Sequence, residues 1–85
     1  MTARDPEAIE KAILAMLAER KGRSICPSEI ARKLAPNEWR TLMEAVRAAA
    51  ARLAGKGKLV ATQKGREVNA LSAHGPIRLR IPGGG

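Results

Sequence analysis

Tyrosine and phenylalanine are absent from these 85 residues, and Trp39 is the only aromatic side chain. That excludes a stacking platform for single-stranded nucleic acid, which needs a succession of exposed rings. It also leaves the core to Ile, Leu, Val and Met, because much of the 45% hydrophobic share is alanine. Cysteine occurs once, as Cys26, so no internal disulfide can form, in agreement with a reducing compartment. Cys26 and the lone His74 fall short of the four ligands of a zinc site. Apolar runs stay far below the roughly 20 residues that span a bilayer, and no charged start followed by an apolar core marks an export signal. A cytoplasmic chain with no membrane partner is expected. "GKGK" has neither the spacing nor the Ser or Thr of a phosphate-cradling loop. No cofactor is implied, no base is signalled beside Cys26, and an enzyme is not expected.

Acidic residues are scarce too: eight Asp and Glu stand against sixteen Lys and Arg, a formal charge of +8. The excess is unevenly spread. Up to Gly22, four cations (Arg4, Lys11, Arg20, Lys21) cancel four carboxylates (Asp5, Glu7, Glu10, Glu19). From Arg23 onward, twelve cations face only Glu29, Glu38, Glu44 and Glu67. Such a surface attracts polyanions, nucleic acid before anionic membranes.

The apolar pattern predicts three helices. "DPEAIEKAILAMLAERKG" carries Asp5 as N-cap, Pro6 at the first helical position and Gly22 past the end, with Ile9, Ile13, Met16 and Leu17 on one face. "RSIC" reads as a short extended piece. "CPSEIARKLA" follows as a second helix, with Glu29 placed to reach back to its cap and Pro36 forcing a stop near Leu34 or Ala35. "NEWRTLMEAVRAAAARLAGKG" is the longest, capped by Asn37 and ended by Gly55, with Trp39, Met43, Val46, Ala50 and Leu53 along its apolar face and Leu42 and Ala49 beside them.

Past Gly55 the period changes to two. "KLVATQ" is rich in strand formers, and "PIRLRI" alternates Ile77, Leu79 and Ile81 with Arg78 and Arg80. Between them, "KGREVNALSAHG" is expected to be a long loop or to lengthen the hairpin, with turns at Lys64-Gly65 and Gly75-Pro76. This order predicts a mainly α fold with a small β-hairpin: a winged helix-turn-helix of three helices, a short strand and a two-stranded wing. One domain over 1–81 and a flexible tail at 82–85 are expected.

The fragments "ICPSEIAR", "LAP..WR.LM", "VRAAAARLA", "TQKG" and "GPIRLR", spread from about Ile9 to Ile81, together resemble a family of small uncharacterised bacterial proteins, a domain of unknown function for which a winged-helix fold is expected. The resemblance implies that fold and brings no activity, cofactor or site residue with it.

In this fold a later helix enters the major groove and the wing meets phosphates or the minor groove. Candidate contacts to duplex DNA are Arg40 and Arg47 on the third helix, and Lys58, Lys64, Arg66, Arg78 and Arg80 on or beside the wing, with all these cations expected to point one way. Whether Arg23 and Arg32 join them depends on the angle between helices. Trp39 reads as a core or hinge anchor, and the outward alanines allow close approach without reading bases. A protein-interaction or dimerisation module built on the alanine-rich helix face is the alternative. Cys26 reads as a small side chain at a helix start, with a reactive thiol as the competing view.

Overall fold

The computed structural model describes residues 5–83. Asp5 opens helix α1 (Pro6–Arg20) by accepting from the Glu7 and Ala8 amides at 3.0 and 3.5 Å. Pro6 sits where no N–H is needed. The helix ends as Lys21 and Gly22 take φ of 48° and 94°. Ile9, Ile13, Met16 and Leu17 form its buried stripe, as the spacing predicts.

The expected short strand is a single rung. Ile25 and Leu79 exchange both backbone hydrogen bonds, at 2.8 and 2.7 Å, as an isolated antiparallel bridge. Helix α2 (Pro27–Leu34) begins directly after it, and Glu29 Oε2 accepts from the Cys26 N–H at 2.8 Å. The helix stops before Pro36 as expected.

Helix α3 (Trp39–Gly55) departs from expectation at its start. Asn37 does not cap it. The turn after α2 closes when the Glu38 N–H donates to Ala35 O at 3.0 Å, so Glu38 occupies the cap position, without a side-chain bond to the helix. At the other end the helix runs to Gly55, as expected, while the left-handed residue that closes it comes two positions later. Gly57, with φ 74°, donates to Ala54 O while Lys58 donates to Leu53 O at 2.9 Å, the double bond of a Schellman ending. The buried seam is Leu42, Val46, Ala49, Ala50 and Leu53, with Trp39 and Met43 only half-buried. The seam lies there because α3 packs against both α2 and α1.

Three strands follow: β1 (Val60–Gln63), β2 (Arg66–Glu67) and β3 (Arg78–Arg80), antiparallel in the order β2-β1-β3. Lys64 and Gly65 both have positive φ, 53° and 80°, which matches the twist of a two-residue hairpin. The segment left between loop and longer hairpin therefore starts with a strand and continues as a loop over residues 68–77. Ala61 and Leu79 pair on the inner face and are buried. Ile81 departs from its expected row: the ladder ends where Val60 meets Arg80, and Ile81 beyond it is 36% exposed.

Three helices and a small antiparallel sheet, with the β1–β2 hairpin and the returning loop in the wing position, make a winged-helix layout. Among the described residues no helix is long and apolar enough to cross a membrane. The expected tail lies partly outside the described residues, which stop at Gly83. Gly57→Ala places a Cβ on a left-handed residue that nothing else crowds. It should cost about 1–2 kcal/mol in urea unfolding, whereas Gly55→Ala, inside the helix, should stabilise or leave the midpoint unchanged.

Candidate nucleic-acid interface

The register decides where each wing cation lies. Arg78 is opposite Thr62, which is opposite Glu67, and Arg80 is opposite Val60, so both arginines share the outer sheet face. Arg66 is opposite Gln63 and therefore on the other face. Lys64 stands exposed at the hairpin tip, and Lys58 is exposed just past the end of α3. The cations do not point one way: strand alternation divides them, and only Arg78 and Arg80 are brought together.

Arg47 has a different task. Its guanidinium reaches three carbonyls of the 68–77 loop, Ala70 O at 3.5 Å, Ala73 O at 2.8 Å and Gly75 O at 2.7 Å. Gln63 Nε2 donates to His74 O and to Pro76 O. Asn69 Oδ1 accepts from the Leu71 and Ser72 amides. An irregular loop must find partners for its backbone groups, and here two side chains supply five carbonyls. They hold the loop along one side of α3, with Ala70 buried and Leu71 52% exposed beside Ala48.

Arg40 lies at the corner between α2 and α3. Its guanidinium is 5.0 Å from the Trp39 ring centroid, and that of Arg32 is 4.3 Å from it. Two cations thus share one ring, within the range of cation–π attraction. Arg32 was left open by the sequence, because its meeting with Arg40 depends on how the two helices cross.

Arg78 is anchored by neutral acceptors: Nε donates to Ser24 Oγ at 2.9 Å, Nη2 to Ser24 O at 3.2 Å and Nη1 to Cys26 Sγ at 2.8 Å. Arg20, Arg23, Ser24 and Arg78 line one shallow cleft of about 350 Å³. Cys26, half-buried at the start of α2, is thereby tied to β3. No group of His, Cys, Asp or Glu able to hold a metal occurs among the described residues.

Among the described residues, ion pairs take up two carboxylates. Glu10 binds Arg52 at 2.7 Å and Lys56 at 3.5 Å, linking α1 to α3, and Glu29 binds Arg20 at 2.8 Å, linking α2 to α1. Among the described residues none of the seven candidate cations pairs with a carboxylate. The Arg52 hydrogen bond holds the Glu10 carboxyl below its ordinary range. Glu29 is lowered first by the Cys26 N–H, then by the Arg20 hydrogen bond and by the charges of Arg20 and Arg78, against an opposing push from burial.

The fold is thus a winged-helix layout with a largely uncompensated cationic surface. The chain belongs to the family described as Protein of unknown function (DUF3253), whose model matches residues 6–82. Comparison with curated proteins gives no match.

A Glu29 pKa lower in the folded than in the unfolded chain adds stability that is present above the ordinary carboxylate range and lost as pH falls through the folded value. Glu29→Gln should cost about 1 kcal/mol at neutral pH, the usual worth of a cap, and its urea midpoint should fall less steeply below about pH 4. Equal acid limbs for the two proteins would remove Glu29 from that role. Arg47→Lys keeps the charge but cannot span three carbonyls. It should lose about 1–3 kcal/mol, with amide exchange at Ala73 rising more than at Val46; uniform exchange would mean the loop is held otherwise.

Proposed function

We propose that this is a DNA-binding winged helix-turn-helix protein of the cytoplasm, acting by binding and not by catalysis, whose affinity for duplex comes mostly from backbone phosphates. The observation that carries the reading is the charge accounting. All seven candidate cations are without a carboxylate partner among the described residues, while the chain's ion pairs are spent on joining its helices. Exposed, unpaired lysines and arginines release condensed counterions when they meet phosphates, and that term is sequence-independent.

Roles divide by position. Arg40, held at the Trp39 ring with Arg32, offers two rigid guanidinia at the helix-turn-helix corner. Lys64 and Arg66 extend from the hairpin, Lys58 lies beneath it, and Arg78 and Arg80 cover the outer sheet face. Arg47 acts indirectly by seating the loop beside α3. The outward alanines of α3, Ala48 and Ala51, offer no group that reads base edges, which favours phosphate contact over sequence readout.

The second reading, a protein-interaction module, is favoured by the strip of Ala45, Ala48 and the exposed Leu71 along α3. Salt separates the two. Mixed-sequence duplex titrated across a salt series should give a log–log slope of about −0.9 per phosphate contact. Replacing Arg40, Lys64 and Arg80 together by Gln should flatten that slope by two to three such contacts without lowering the melting temperature. Binding no tighter than about 10⁻⁴ M at low salt, or an unchanged slope in the triple variant, would count against the DNA reading.

A further inference from the structure

The cleft between the end of α1, the Ile25 rung and β3 gathers more positive charge than its carboxylate contacts offset. Its lining is Arg20, Arg23, Ser24 and Arg78. Three guanidinia line it, and among the described residues the only carboxylate joined to any of them is Glu29. That carboxylate is already committed: Oε1 accepts from Arg20 and Oε2 from the Cys26 N–H. Arg23 makes no side-chain bond among the described residues. Like charges brought together in this way repel, and an anion between them relieves the repulsion.

The manner in which Arg78 is held points the same way. Arg78 is positioned by a hydroxyl, a carbonyl and a thiol, which fix the guanidinium plane without a direct carboxylate contact; Glu29 acts on its charge only from a distance. Three of its five N–H donors are used, so two are left for a ligand. Ser24 Oγ accepts from Arg78 and keeps its own proton to donate. Fixed forks plus a hydroxyl donor match a tetrahedral oxyanion better than a spherical halide.

We propose that this cleft is a binding site for one phosphate group, held by Arg23 and Arg78 with Arg20 and Ser24 completing its shell. A phosphodiester of a nucleic-acid backbone and a free phosphate present the same oxygens to it. The site stands apart from the duplex reading, since either source would fill it.

The test uses the full chain, titrated with inorganic phosphate against sodium chloride at matched ionic strength and followed by ¹⁵N correlation spectra that include the arginine Nε–H signals. Phosphate should shift the Arg78 Nε–H and the Ser24 amide saturably, with a dissociation constant on the order of 1 mM, while chloride should not. Arg23→Gln, at an exposed residue without a side-chain partner, should weaken phosphate about tenfold with an unchanged melting temperature. Ser24→Ala should weaken it less, and its spectrum reports directly whether the fold is kept. A linear response to phosphate, or equal affinity in Arg23→Gln, overturns the site. A second arm adds short duplex to the phosphate-binding protein. Shifts of the same signals, competed by phosphate, identify the backbone as the source; duplex that binds without moving them identifies free phosphate. Duplex binding with no saturable phosphate response would overturn the cleft and leave the DNA reading intact.

Discussion

The wing of this protein depends on one guanidinium. Between β2 and β3 the chain runs through ten residues with almost no ladder bonding, and such a segment ordinarily stays in water where its carbonyls are solvated. Arg47, projecting from α3, gathers three of those carbonyls, and Gln63 from β1 takes two more. The loop is thereby seated against the helix, Ala70 and Ile77 are buried, and β3 arrives at β1 in the register that pairs Leu79 with Ala61. From that register come the position of Arg78 over Ser24 and the rung to Ile25. A charge that composition alone assigns to the outside serves the inside.

Elements governed by local rules were legible from the residues. Asp5 and Pro6 open α1, Pro36 stops α2, and Glu29 reaches the Cys26 amide, all through interactions spanning at most four positions. The alternation of Ile77, Leu79 and their arginines likewise announced a strand. Errors arose where two local signals competed. Asn37 and Glu38 both precede α3, and the turn closing on Ala35 O decided between them. At the far end α3 does stop at Gly55, but the left-handed closing residue is Gly57, fixed by the bonds to Leu53 and Ala54.

The surface was legible in composition but not in arrangement. Charge counting found an excess of cations, yet the sheet pleat puts Arg66 on the face opposite to Arg78 and Arg80, and no count reveals that Arg47 is taken up by the 68–77 loop. In the sequence Arg20 enters only the charge count of the first segment, and Ser24 only the extended piece before Cys26. Their convergence with Arg23 and Arg78 exists only after the segment between α1 and α2 meets β3 at the Ile25 rung. The stacking of Arg32 and Arg40 on Trp39 similarly follows from a helix crossing.

That single rung also sets an order of events. Ser24 and Arg78, which bond across it, are 54 positions apart, so the loop that must close is long and its entropy is spent before the contact returns anything. A chain emerging from the ribosome can pair α1, α2 and α3 early, since their contacts are nearer in sequence. It cannot seal the lower edge of its core, cover Ile25, or assemble the arginine cleft until β3 has emerged. The arginine cleft and the finished interior are therefore completed together, and a nascent chain short of Leu79 has neither.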